Sequence, residues 1–129
     1  MNSLEQAFTA PNTITETIRG VKLTVAPADH YMNRDYGRVM IEAADLVASM
    51  KKAKESDAAI DQRVDVKVTA EALLVDWDAT DSKGKPIPCT PAYKVAMLEK
   101  MPGLLSTVRR LAKPDNFFSY EHEEDAAKN

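Results

Sequence analysis

Hydropathy alternates twice near the start of the chain and then changes period. Over 13–18 (TITETI) and 21–25 (VKLTV) apolar residues fall on alternate positions, the period of a strand with one covered face. Arg19-Gly20 separates the two runs. Pairing across this dipeptide sets Ile18 opposite Val21 and Ile14 opposite Val25, an N-terminal β-hairpin whose edges are available to another chain. Glu16 falls on the same face opposite Leu23, and Arg-Gly is not the favoured turn dipeptide, so the pattern is imperfect. Upstream, Ser3 and Glu5 suit the first turn of a short helix over 3–8 that Pro11 breaks. Pro27 ends the strand region and 29–34 is polar and turn-like. From Asp35 the period becomes helical: Val39, Ala43, Leu46 and Met50 make one stripe, and Lys51, Lys52 and Lys54 complement the negative helix end.

The middle of the chain carries two signals. Val64, Val66 and Val68 alternate as in a strand, whereas 70–75 is rich in helix formers. A helix over 58–77, anchored by Glu71, Ala72, Leu73 and Leu74, is the reading adopted, with a strand over 63–69 as its competitor. Residues 78–88 form a loop with Gly84, Pro86 and Pro88. Thr90 followed by Pro91 is a helix start, a hydroxyl cap with proline at the first helical position. That helix carries Val95, Leu98 and Met101 and is interrupted by Pro102-Gly103; a second carries Leu104, Leu105, Val108 and Leu111 and stops before Pro114. Asp115 can cap a last segment through Phe117, Phe118 and Tyr120. The pattern therefore predicts a mainly α fold: a small helical domain with an N-terminal β-hairpin (α+β). Its parts are a leading helix and hairpin over 1–28, a helical body over 29–118, and an acidic, fraying tail over 119–129.

Composition narrows the functional classes. A chain of 129 residues with 44% hydrophobic and 29% charged residues is globular and of one-domain size. Aromatics are 6%, so aliphatic residues and the six methionines must fill the core or an adaptable contact surface. The net charge of -3 disfavours nucleic acid as a partner. The first residues, MNSLEQAFTAPN, have neither the basic start nor the apolar centre of a secretion signal, and no apolar run reaches the ~20 residues of a membrane span. A cytoplasmic protein without membrane partners is expected. Charge is segregated late in the chain: 100–113 holds Lys100, Arg109, Arg110 and Lys113 with no acid, while 115–129 holds five acids against Lys128. Two solvated faces account for such segregation; the sharper reading is a charged partner or self-association into a homo-oligomer.

The candidate chemistry is sparse. Asp76, Asp78 and Asp81 crowd together, but counting from Asp76 the sixth position is Asp81 rather than glycine and the twelfth is Ile87 rather than a carboxylate, so a calcium loop fails. Cys89 is the single cysteine, without a local nucleophile signature, and His30 and His122 have no ligand spacing. Gly84-Lys85 lacks the glycine spacing of a phosphate loop, and Pro86 stands where Ser or Thr would bind magnesium. Neither a cofactor nor a metal is expected, and no catalytic residue is assigned: the chain reads as a non-enzyme. Trp77, the single tryptophan, suits a core plug beside a loop or a partner hot spot.

The order Trp77, a polar turn with Gly84, Pro86-Ile87-Pro88, Thr90-Pro91, Leu98, Pro102 and a closing Phe117-Phe118 resembles the tail assembly chaperones of lambda-like long-tailed phages (siphophages). The hairpin ending Val25-Ala26-Pro27-Ala28, followed by a helix after Asn33, is similar in layout. The resemblance implies a small, mainly helical chaperone of virion morphogenesis in the host bacterial cytoplasm. It would keep the tape measure protein soluble while the major tail tube protein polymerises around it, and be absent from the mature virion. It also implies a longer form made by ribosomal frameshifting; Lys128-Asn129 can be encoded by AAA-AAC, which fits a slippery run. Partner contacts are then expected from Trp77, Met97, Leu98, Met101, Leu104 and Leu105 as groove or core, with Arg109 and Arg110 supplying charge. A head–tail connector or tail completion protein retained in the virion, and a small regulatory protein-binding module, are the alternatives.

Overall fold

The computed structural model describes residues 13–117. The expected helix over 3–8, the tail over 119–129, and Phe118 and Tyr120 lie outside the described residues.

The hairpin forms in the register that the alternation predicts. β1 (Ile14–Ile18) and β2 (Val21–Val25) are antiparallel, with Ile18 opposite Val21, Glu16 opposite Leu23 and Ile14 opposite Val25. Arg19 and Gly20 both take positive φ, 51° and 82°. A two-residue hairpin turn needs that backbone to match the strand twist. Gly20 adopts it freely; Arg19 carries a Cβ, and its strain of about 1 kcal/mol is offset by the paired strands.

α1 (Arg34–Lys52) starts at Asn33, whose side chain accepts the Asp35 N–H, and ends in Lys51 and Lys52. Val39, Ala43 and Met50 of the predicted stripe are buried, and Leu46 is half-buried. α2 (Asp57–Val68) is capped by Ser56, whose Oγ accepts the Ala59 N–H at 3.2 Å. The valine alternation over 63–69 is therefore helical, which removes the competing strand. Ile60 and Val66 of α2 face the core, so packing outweighs the strand preference of the valines.

The helix does not run on to Trp77 as predicted. It changes to a π-helical turn (Thr69–Leu73) and then to a third strand, β3 (Leu74–Trp77). β3 pairs antiparallel to β2, giving a sheet of order β1-β2-β3. Leu74 lies opposite Val25, Asp76 opposite Thr24 and Trp77 opposite Leu23, so β3 holds one extra residue, a bulge at Val75. The bulge lets Leu74 and Trp77, three apart, both turn inward while Val75 and Asp76 stay exposed. This broken alternation, at the end of a run of helix formers, is why the sequence pattern reads as helix.

α3 (Pro91–Lys100) begins as predicted at Thr90, whose hydroxyl accepts the Tyr93 N–H, and α4 (Pro102–Leu111) follows after Met101. The main core joins Leu23, Val25, Val39, Leu73, Leu74, Trp77 and Val108. A second cluster sets Leu98 and Leu105 against Val66 and Ala70. Phe117, 2% exposed, closes a third with Met32 and Ile14.

Outside this core, Lys67 bridges Glu71 at 2.8 Å and Glu42 at 3.3 Å, tying α1 to α2, while Arg38 also reaches Glu42 at 2.6 Å. The Arg38 hydrogen bond, then that of Lys67, holds the Glu42 carboxyl below its usual range. Arg38 and Glu42 are exposed and only Lys67 is largely covered, so the network orients more than it stabilises.

Thr69 departs from polar satisfaction. It is fully buried, and its Oγ1 has no hydrogen-bond partner among the described residues. An unpaired buried hydroxyl costs about 1–3 kcal/mol, whereas an apolar group of the same shape carries no such cost. Thr69→Val is therefore expected to raise stability by about 1 kcal/mol in urea unfolding; a fall would mean that the hydroxyl has found a partner.

Candidate functional site: an apolar groove between the sheet and α3–α4

The hairpin tip and the junction of α3 with α4 enclose a groove of about 560 Å³. Its floor is the cross-strand pair Leu23–Trp77. Ile18 and Val21 form one wall; Met97, Met101 and Leu104 form the other, and Arg19 is the one charged residue in the lining. Proline at position 102 forces the break between the helices, because it cannot continue α3 as an interior residue. Met101 is therefore a cap rather than a buried helical position, and it is 46% exposed. Met97 and Leu104 are half-buried beside it. Two flexible, polarisable methionine side chains at one mouth give the groove a deformable rim.

Trp77 is held rigidly by contrast. Its Nε1–H donates to the Ile87 carbonyl at 2.7 Å, which satisfies the indole and ties down the 78–90 loop. Two of the three aspartates brace the same region. Asp78 accepts the Lys22 N–H at 2.6 Å, joining the loop to β2, and Asp81 accepts the N–H groups of Lys83 and Lys85 at 2.8 and 3.0 Å. Gly84, with φ of 78°, completes that turn.

The structure divides the eight residues expected at the partner surface into three sets. Trp77, Met97, Met101 and Leu104 meet in the groove. Leu98, fully buried, and Leu105, 8% exposed, pack inward in the second core cluster, because on α3 and α4 they point at Val66 and Ala70. Of the expected groove or core roles, they take the core one. Arg109 and Arg110 lie on another face of α4, around a separate cleft, and Arg109 pairs with Asp65 at 2.6 Å. Sequence reasoning did not find Ile18, Val21 and Leu23, the hairpin half of the groove, nor Ala79 of the loop after β3. The alternation marked an inward face, but only the third strand shows that its tip is left partly open toward α4.

Cys89 is half-buried, and burial pushes its thiol above the ordinary range, the opposite of an activated nucleophile. His30 packs its ring edge-on to Tyr36 with centroids 5.0 Å apart. Among the described residues no three His, Cys, Asp or Glu side chains group to hold a metal ion, and no helix is long and apolar enough to cross a membrane. The groove can offer an apolar surface with a rigid aromatic floor and mobile thioether edges, which suits an apolar segment of another chain.

No curated protein and no solved structure matches this chain. A family model does, that of the YdaY prophage proteins, over residues 31–129. The matched region takes in the four α-helices of the described residues, β3 and the helical wall of the groove, and begins after the hairpin. With well over half of its length matched, the chain is phage-derived and belongs to the YdaY prophage protein family.

Proposed function

We propose that this prophage protein is a non-enzymatic tail assembly chaperone. Its groove receives an apolar segment of the tape measure protein and keeps that client soluble while the tail tube assembles in the host cytoplasm. The observation that carries the reading is the groove itself: an open apolar concavity with Trp77 at its floor and Met97 and Met101 at its rim. A client with exposed apolar stripes needs a surface that adapts to several side chains, and methionine supplies that. The order of parts from Trp77 to Phe117 supports the same reading through its resemblance to tail assembly chaperones.

The test is co-expression with a tape measure protein encoded in the same prophage, followed by capture through a tag on this chain. The wild-type protein is expected to bring the client into the soluble fraction. Met101→Glu, at an exposed position that tolerates charge in the folded protein, is expected to weaken capture by about 2 kcal/mol, roughly thirtyfold. An insoluble client in the presence of the wild-type chain overturns the reading. Recovery of this chain from purified virions overturns it in favour of a connector or tail completion role.

A further inference from the structure

A second concavity, of about 620 Å³, lies on another face of α4 and shares no lining residue with the groove. Its floor is apolar, made by Tyr36, Val64, Val68 and Leu73. Arg109, Arg110 and Lys113 stand at its edge, with Asp65 as the one acid. Asp65 is engaged by Arg109 at 2.6 Å. Among the described residues no carboxylate pairs with Arg110 or Lys113. The cleft thus presents an apolar floor below net positive charge, in a chain whose overall charge is -3.

The complement is present in the same sequence. The chain leaves the described fold at Phe117, four residues after Lys113 at the cleft edge. Asn116 turns it back there by donating to the carbonyls of Arg110 and Leu111 at 2.8 and 3.1 Å. Residues 118–125 then read FSYEHEED: two aromatics followed by four acids without a basic residue between them, apart from His122. An extended chain covers about 3.3–3.6 Å per residue, so this segment can span the cleft from its point of departure.

We propose that residues 118–125 dock in this basic cleft within the same molecule, with Phe118 and Tyr120 on the apolar floor and the acids facing Arg110 and Lys113. The α4 charges and the acidic segment then neutralise one another locally, and the cleft is covered by the chain's own sequence rather than offered to a client. This inference does not rest on the chaperone reading, since it concerns a different face.

The experiment uses the full chain with a nitroxide on Ala126→Cys in a Cys89→Ser background, read by paramagnetic broadening of backbone amides. At low salt the amides of Val64, Val68, Ser106 and Arg110 are expected to lose signal. The signal is expected to return at about 1 M NaCl, where the Debye length is about 3 Å. It is also expected to return when Glu121, Glu123, Glu124 and Asp125 are replaced by their amides, a change that leaves residues 13–117 untouched. Full amide signal at low salt, or broadening that survives the amide replacements, overturns the proposal. Broadening in a mixture of nitroxide-bearing chain and isotope-labelled chain without nitroxide also overturns it, because the segment would then be docking on a second copy.

Discussion

Trp77→Ala is expected to destabilise the protein by about 3–5 kcal/mol, the range for truncating a large buried aromatic. Trp77 is 7% exposed, closes the sheet opposite Leu23 and donates to the Ile87 carbonyl. The truncation removes the groove floor, leaves that carbonyl without its donor and frees the 78–90 loop. Against a usual total of about 5–15 kcal/mol, much of the chain is then expected to be unfolded near body temperature. Trp77→Phe separates the contributions. It retains most of the apolar bulk and loses the N–H, so its cost is expected near 1–3 kcal/mol. Urea unfolding followed by circular dichroism measures both, since tryptophan fluorescence disappears with the residue. Equal costs for the two variants would mean that the hydrogen bond, rather than the packed ring, holds this corner together.

The second large effect is expected at Asn33, which is 7% exposed and does three things at once. Its Oδ1 accepts the Asp35 N–H at 3.1 Å and caps α1. Its Nδ2 donates to the Pro27 carbonyl at 2.9 Å and to the Ala72 carbonyl at 2.7 Å. The two carbonyls belong to the segment after β2 and to the π turn before β3, so one amide fixes α1 against both sheet connections. Asn33→Ala loses the cap and strands both acceptors, at about 2–4 kcal/mol. Asn33→Asp is the sharper test. Aspartate and asparagine cap helices about equally well, so a pure capping role predicts little change. Here the carboxylate would face two carbonyl oxygens with no hydrogen to offer, and Asn33→Asp is expected to be at least as damaging as Asn33→Ala at neutral pH. Near-native stability of Asn33→Asp in urea unfolding would reduce Asn33 to a cap alone.

Both predictions concern places where the local pattern and the tertiary structure part company. Asn33 reads as an ordinary cap residue, and nothing within a few positions of it announces Pro27 or Ala72 as partners. Trp77 reads as the end of a helix, because 70–75 is rich in helix formers and the inward residues Leu74 and Trp77 are three apart. That spacing is helical unless a bulge intervenes, and the bulge exists because β2 is there to pair with. The candidate site divides in the same way. Met97 and Met101 were visible as adaptable apolar residues at a proline break. Leu98 and Leu105 carry the same kind of signal and are buried, because Val66 and Ala70 of another segment lie over them.

The sequence by itself determined the elements whose information is local. The hairpin register follows from a period of two and a two-residue turn. α1 follows from one apolar stripe and its charged end. α3 and α4 follow from Thr90-Pro91 and the Pro102 break. These are set by backbone sterics, capping and side-chain period, which act within a turn or two of chain. The tertiary structure alone decided that the chain after α2 becomes a strand. It also decided which apolar residues are covered, and that the sheet tip and the α3–α4 junction leave a groove between them. Those outcomes depend on what each surface meets across the fold. A leucine at helical spacing has the same local chemistry whether another helix covers it or water does.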